Sequence, residues 1–335
     1  LMYLLAQQFA RRNVAVIVAL MIGVGTMMFE HAVNLYAHDL AALFAFGAWT
    51  AIEHTPTTVG RATLAGFLAG MAVSTEYETG IVLIVLAVYL LVRQRDRIGW
   101  FVLGTAAPFA ALAAYQQRAF GAPWHTPSAY YAGVLNGTSR GGYAIPGIHD
   151  VVAVLFGNRG LLIGAPIAFI GLVGAVSLVA SGEGPARRHA IVALAVMVPY
   201  LVLSAGWSGL ALLDEPGPRY LIPALAFLAV PLAATWDRLW RPMVLATIVG
   251  AAISVPDAYT YILLREQQPA FPELFRRVRD GEFLPTLWSM AFGRLGVVVY
   301  AVTVTVAVGW FVRACRTPER TGVRLPAVQE IVSRR

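Results

Sequence analysis

Lysine is absent from these 335 residues, and all 25 basic side chains are arginine. A GC-rich genome is the plain reading of that bias. Cysteine is almost absent too: Cys315 stands alone, which excludes an intramolecular disulfide and any metal site built from several thiolates. Charge is scarce, since only 13% of the residues are Asp, Glu, Lys or Arg, against about one-quarter in an ordinary soluble chain. No polar stretch is long enough for a separate soluble domain. The length, which would ordinarily suggest about two domains, therefore reads as a single bundle. What fills the sequence is apolar: 58% of it is hydrophobic, with a mean hydropathy of +0.67. No soluble fold of this size could hide so much apolar surface, but a bilayer solvates it. The expected fold class is all-α, a polytopic transmembrane helix bundle with the lipid bilayer as its first partner. A net charge of +7 does not imply nucleic acid, because the arginines are spread among connections and form no stripe.

Crossing a bilayer takes about 20 mostly apolar residues. Ten segments qualify as expected spans: about 13–28, 37–52, 61–75, 80–92, 98–117, 160–180, 190–206, 219–236, 242–262 and 294–313. Arginine then sets their direction. Arg11 and Arg12, Arg93 to Arg97, Arg187 and Arg188, Arg238 and Arg241, and the tail from Arg313 all fall on one side. The positive-inside rule makes that side the cytoplasm. An even number of spans puts both termini there, in the inner (plasma) membrane of a cell. Residues 1–318 are expected to form the bundle, with outer-face loops 118–159 and 263–293, and 319–335 an Arg-rich cytoplasmic tail. Both loops are long, since more than about 12–15 residues is uncommon inside a compact domain. Arg276, Arg277 and Arg279, interleaved with Phe271, Leu274, Phe275 and Val278, read as a short amphipathic helix, either on the membrane surface or solvated within the loop. The chain opens in an apolar stretch, Leu1 to Phe9, with no basic start and no cleavage site. It is expected to be a fragment whose upstream spans are missing.

Polar residues gather at the outer ends of the expected spans. Glu30, His31, Asn34, His38 and Asp39 form the first group. His and carboxylates this close together suit acid–base work or a divalent metal, but the spacing matches no metal motif, so no metal ligands are assigned. Side chains capping two helix ends at the interface would look the same. Glu76, Tyr77 and Glu78 form the second group, and an acidic residue so near hydrocarbon is costly and often functional unless the turn is fully hydrated. The third is GPRYLIPALAFLAVPL from Gly217. Arg219 there is a fork-shaped donor that matches phosphate oxygens, beside Tyr220; a snorkelling Arg, or one paired to Asp214 or Glu215, is the competing reading. The stretch 118–159 carries Trp124, His125, Tyr131 and Arg159 among other aromatic and polar residues. Such a set suits sugar rings and equally suits an interfacial aromatic belt. No Gly-rich phosphate loop, GxSxG elbow or kinase signature is present, which argues against nucleotide-sugar chemistry.

The segments GVGTMMFEHAVNLYAHDLAALFAFGAW, STEYETGIVLIVLAVYLLVR, AYQQRAFGAPWHTPSAYY, NRGLLIGAPIAF and GPRYLIPALAFLAVPL, in this order, resemble bacterial polytopic glycosyltransferases of the GT-C class. These are relatives of protein mannosyltransferases and of the arabinosyl- and mannosyltransferases of the actinobacterial envelope. The likeness covers nearly the whole chain and rests mostly on helix-packing patterns. It implies transfer of a sugar from a polyprenyl-phosphate-linked donor to an envelope glycan, lipid or protein on the outer face. His38 matches a recurrent His of the family, Glu76 and Tyr77 a TEY segment, and Arg219 and Tyr220 a PRY segment beside the presumed lipid-phosphate groove. Ala226 stands where the family usually has proline. The resemblance puts the main acidic residue in the first outer loop, which would precede Leu1, so that residue is not carried over; Glu76, His38 and Asp39 remain the catalytic candidates within this chain. Arg219 and Tyr220 are implied donor-phosphate binders, and Trp124, His125, Tyr131 and Arg159 sugar or acceptor contacts. The implied reaction is one-step inversion at the anomeric carbon. A transporter or lipid flippase component is the alternative. No internal repeat supports it, but deep burial of Glu53 or Asp257 would favour it.

Overall fold

The computed structural model describes residues 1–33, 36–54, 56–127, 145–181, 184–206, 217–260 and 270–283, with scattered residues beyond. It divides into two units, Leu1–Leu284 and Pro285–Arg335. Only isolated residues of the second are described, so the tail 319–335 and most of the expected span 294–313 lie outside the described residues.

Among the described residues the first unit is all-helical, with no strand. Its elements are α1 (Met2–Ala6), α2 (Arg12–Val24), α3 (Met28–Val33), α4 (Ala37–Ile52), α5 (Val59–Thr75), α6 (Gly80–Arg93) and α7 (Ile98–Phe120). After a gap come α8 (Ile148–Phe156), α9 (Leu161–Gly164), α10 (Pro166–Ser181) and α11 (Pro185–Gly206). A 3-10 turn, Arg219–Leu221, then leads to α12 (Ile222–Leu225), α13 (Ala229–Ala234), α14 (Trp236–Thr260) and α15 (Ala270–Asp280).

Among the described residues three helical stretches are long and apolar enough to cross a bilayer: Arg95–Phe120, Pro185–Gly206 and Trp236–Thr260. The sequence leads one to expect about ten. The expected spans 37–52, 61–75 and 80–92 are continuous but short helices of 16, 17 and 14 residues, and most of 294–313 lies outside the described residues. In the other three the apolar run is long but the helix is not continuous. The run 13–28 stops as α2 at Val24, because the Thr26 hydroxyl donates to the Ile22 carbonyl at 2.6 Å and accepts from Met28 N at 3.2 Å, turning the chain into α3. At 13 residues, α2 is about 20 Å long, short of the roughly 30 Å hydrocarbon core. The run 160–180 is broken at Ala165, where Ile148–Gly164 and Pro166–Ala180 meet at 103°. The run 219–236 is a chain of short α and 3-10 turns punctuated by Pro223 and Pro231, since each ring removes a backbone donor. The expected loop 118–159 is also less irregular than its composition implies: α7 runs on to Phe120, closed by Gly121 at φ 80°, and α8 occupies Ile148–Phe156.

Helix packing uses small residues. On α5, Gly66 and Gly70 lie four apart, and α7 presents Gly104 and Pro108 to them. A methyl on Gly66 would stand 1.8 Å from the Phe101 carbonyl oxygen, and one on Gly104 would stand 2.1 Å from that of Thr63. Backbones can approach this closely only without side chains, the device membrane helices use where apolar surface gives no driving force between them. The central helix is α11, with 56% of its apolar window inside the protein, against 22% for the α7 stretch and 28% for α14. Conversely, α6, α7, α10 and α14 turn Ile84, Val92, Val102, Leu103, Val173, Ile248 and other large apolar side chains outward. A soluble monomer rarely shows so broad an apolar face. These are the helices of a membrane protein.

Hydrogen bonds sort the helix ends into two layers. At one, the α4–α5 and α6–α7 connections are fastened together: Thr57 N donates to Gln94 Oε1 at 2.6 Å, Gln94 Nε2 to Thr57 Oγ1 at 3.0 Å, and Arg97 Nε to the Thr57 carbonyl at 2.8 Å. Arg61, Arg93, Arg95 and Arg187 share this layer, here termed the arginine end. At the other, Met27 N donates to the Gly164 carbonyl at 2.8 Å and Ser254 Oγ to that of Val24 at 2.6 Å. The polar site lies in that second layer.

Candidate functional site

Four separated stretches converge there. His38, in the first turn of α4, is buried and holds Nδ1 3.3 Å from Glu76 Oε1, in the turn that follows α5. The Tyr220 ring meets His38 edge-on at 5.9 Å, and the Arg219 guanidinium lies over Tyr220 at 5.5 Å. From α3, His31 packs against His38 at 5.4 Å and stands 3.3 Å from Glu30 Oε2. Nδ1 of His31 is also 2.9 Å from the Met27 carbonyl; since a carbonyl only accepts, the proton sits on Nδ1. Tyr36 completes a stack of rings, 4.9 Å from His31 and 6.2 Å from His38. Asp39 is on the same turn as His38, with both carboxylate oxygens shielded from water and no hydrogen-bond partner among the described residues.

Backbone geometry explains why these parts meet. Gly217, at φ 106°, leaves no room for a Cβ, which would be 2.8 Å from Met27 Sδ and 2.9 Å from Gly164 Cα. That close junction brings the turn before α3, the α9–α10 break and the start of the Arg219 turn into one place. The three interruptions that shorten the expected spans therefore build the site.

Glu76 is its electrostatic centre. Burial pushes its carboxyl up to about 7, and the adjacent Glu78 carboxyl, hydrogen-bonded to it, pushes the same way; Arg219 and His31 pull it partly back. Two carboxyls joined by a hydrogen bond must share a proton. Near neutrality Glu76 is thus poised between an acceptor and a donor of protons. Tyr77 points outward and its hydroxyl accepts from Gln116 Nε2 on α7 at 3.1 Å. Tyr200 of α11 is fully buried, and its hydroxyl lacks a hydrogen-bond partner among the described residues.

Of the expected site residues, His38, Asp39, Glu76, Arg219 and Tyr220 belong to this cluster. Trp124 and His125 are highly exposed and engage each other and the end of α7, with His125 Nδ1 3.1 Å from the Phe120 carbonyl. Arg159 is buried in the turn before α9. Tyr131 lies outside the described residues. Tyr36, Gln116 and Tyr200 were not singled out from sequence; they sit inside or beside apolar runs where only the three-dimensional convergence marks them. No three His, Cys, Asp or Glu among the described residues are arranged to hold a metal ion.

A second buried polar group stands at the arginine end. Glu53, which ends α4, receives Gln8 Nε2 at 3.3 Å and His54 Nε2 at 2.8 Å, and faces His189 Nε2 at 3.6 Å. Trp49 Nε1 donates to His189 Nδ1 at 3.1 Å, which leaves the His189 proton on Nε2, toward Glu53. Burial raises the Glu53 carboxyl, but the bonds from His189 and Gln8 and the charge of His54 outweigh it and hold Glu53 below its ordinary range. His189 was likewise missed in the sequence.

No family model, curated protein or solved structure matches this chain.

Proposed function

We propose that this chain is a polytopic membrane glycosyltransferase of the GT-C kind with about ten spans. In this reading it moves a sugar from a polyprenyl-phosphate donor to an envelope glycan, lipid or protein on the outer face. The observation that supports it is the meeting of His38, Glu76, Arg219 and Tyr220 from separate stretches at one end of the bundle, around a carboxyl poised near neutrality. The arginine end then faces the cytoplasm, as the positive-inside rule asks, and the site faces outward.

The chemistry assigns each group a task. Ionised Glu76 takes the proton of the acceptor hydroxyl, and His38 holds that carboxylate in place. The acceptor oxygen bonds to the anomeric carbon as the bond from that carbon to the phosphate oxygen breaks. The electron pair leaves with the polyprenyl phosphate, whose growing charge Arg219 offsets; preorganised charge of this kind is often the largest single catalytic effect. The Tyr220 ring lies against the Arg219 guanidinium. Discharge of a radiolabelled polyprenyl-phosphate sugar, followed with the full chain in proteoliposomes, tests this. Arg219→Ala should slow discharge by 100-fold or more, and wild-type turnover in that variant would end the assignment.

Transport remains the second reading because Glu53 and Asp257 are both only 2% exposed. Their places argue for less: Glu53 closes α4 at the arginine end, while Asp257 is in the last turn of α14 at the other. Transport sites usually gather near the bilayer midplane, and these two carboxylates stand at opposite ends.

A further inference from the structure

A groove lies far from the polar site. It runs between α6 and α11 at the arginine end, with a volume of about 690 Å³, within the range of ligand-holding clefts. Its walls are apolar and face outward: Ile84, Val88 and Val92 of α6 and Ile191 of α11 are all well exposed. Its rim is cationic. Arg93 ends α6, while Arg187 and Arg188 lie in the first turn of α11.

We infer that this groove holds an anionic glycerophospholipid of the surrounding bilayer, its phosphate between Arg93 and Arg187 and one acyl chain along Val88 and Ile191. The inference is independent of the transferase proposal, which places its lipid phosphate at Arg219 in the opposite layer.

Three observations carry it. The first is charge: three guanidiniums border a groove that is otherwise hydrocarbon, a division that matches a phosphate diester head on an alkyl tail. Arg187 is already oriented, because its Nε donates to the Val179 carbonyl at 3.2 Å, which leaves the two terminal nitrogens to fork onto phosphate oxygens. The second is backbone polarity. Pro185 opens the 22-residue helix α11, so the positive end of its dipole points into the rim; Arg93 offsets the negative end of α6. The third is length. From Arg93 back to Ile84 is nine helical residues, about 13 Å, close to the half-thickness of roughly 15 Å that one leaflet's chains occupy. A soluble anion would use the rim and leave the apolar walls wet, whereas a lipid satisfies both.

Native mass spectrometry of the full chain, released from nanodiscs of phosphatidylcholine mixed with phosphatidylglycerol, tests the site. One phosphatidylglycerol should stay bound to the wild type in preference to phosphatidylcholine. Arg93→Gln with Arg187→Gln should weaken its retention at least tenfold. Val88→Trp, which fills the groove from an exposed position and leaves the arginines alone, should do the same. Millimolar inorganic phosphate should not displace it. Equal retention in wild type and both variants would overturn the inference, as would equal binding of phosphatidylcholine or displacement by inorganic phosphate. So would polyprenyl phosphate displacing the phospholipid at equal concentration, which would make the groove a donor site, or a second copy of the chain crosslinking into it.

Discussion

Glu76 concentrates what single residues decide in this protein. With its carboxyl at about 7 against an ordinary 4.5, the folded state favours the protonated form. The sign follows from linkage: the stability this group contributes is complete below about pH 4.5 and is lost as pH rises through 7. Glu76→Gln, which stays neutral, should therefore flatten the thermal-unfolding midpoint between pH 5 and 8, where the wild type declines. In the proposed transfer, discharge of donor needs the ionised form, so wild-type kcat/KM should rise through pH 7 and level off above it. A midpoint in the Gln variant that still declines between pH 5 and 8 as the wild type does would show that Glu76 is not the titrating group. At the opposite end, Trp49→Phe removes the bond to His189 Nδ1 and leaves that nitrogen without its donor in the buried site beside Glu53. A loss on the order of 1–3 kcal/mol is expected from such an orphaned buried acceptor, readable by thermal unfolding in detergent. How far residues were legible in the sequence depends on what drew attention to them. Glu76 and Arg219 stood out as charges beside apolar runs, and His38 as one of a polar group. Tyr200 and His189 could not stand out, because a Tyr or His in a mostly apolar helix looks like packing until its neighbours are known.

Helices were more legible in their existence than in their continuity. Apolar runs predicted helix correctly at 37–52, 61–75, 80–92, 98–117 and 190–206, because sustained hydrophobicity with few breakers leaves the chain little else to do in a bilayer. The same signal hid the breaks at 24–28, at Ala165 and along 219–234, since Thr26, Ala165 and Pro223 do not lower hydropathy enough to interrupt an apolar window. The α5–α7 contact makes a prediction at this scale. Gly66→Leu would drive a side chain into the Phe101 backbone, and the helices must separate to admit it. Overpacking of this sort costs about 1–3 kcal/mol or more. Gly60→Leu, on the same helix but with open space around it, should cost little by comparison. Equal unfolding temperatures for the two variants would refute the packing role. The 270–280 helix repeats the lesson from the other side. Its alternation of arginine and apolar residues did predict α15, with Leu274 buried and Phe275 exposed, and Arg276 bonded to Glu273, Asp280 and Glu282.

Taken as a whole molecule, the bundle has two chemically different ends. Among the described residues, Arg61, Arg93, Arg95, Arg97 and Arg187 with the Glu53–His189 pair mark one, and Glu76, His31, His38 and the Arg219–Tyr220 pair mark the other, separated by an apolar belt. If the belt sits in a bilayer, the two ends meet different aqueous phases. In a Cys315→Ser background, Asp96→Cys and Trp124→Cys, both highly exposed and on either side of α7, should label with an impermeant maleimide from opposite sides of oriented vesicles, Trp124→Cys from outside. Labelling from the same side would remove the span between them. The same labelling bears on the two proposed lipid sites: with the span confirmed, a donor phosphate at Arg219 and a bilayer phospholipid at Arg93 and Arg187 would belong to different leaflets.

In the proposed function the polar end breaks a bond in a lipid-linked sugar instead of passing the molecule across. Proteoliposomes of the full chain, given a polyprenyl-phosphate donor labelled in both sugar and phosphate together with envelope acceptors, separate the two outcomes. Free polyprenyl phosphate should accumulate as sugar appears on an acceptor, and Glu76→Gln should abolish both. Intact donor crossing the bilayer with sugar and phosphate still joined would contradict it.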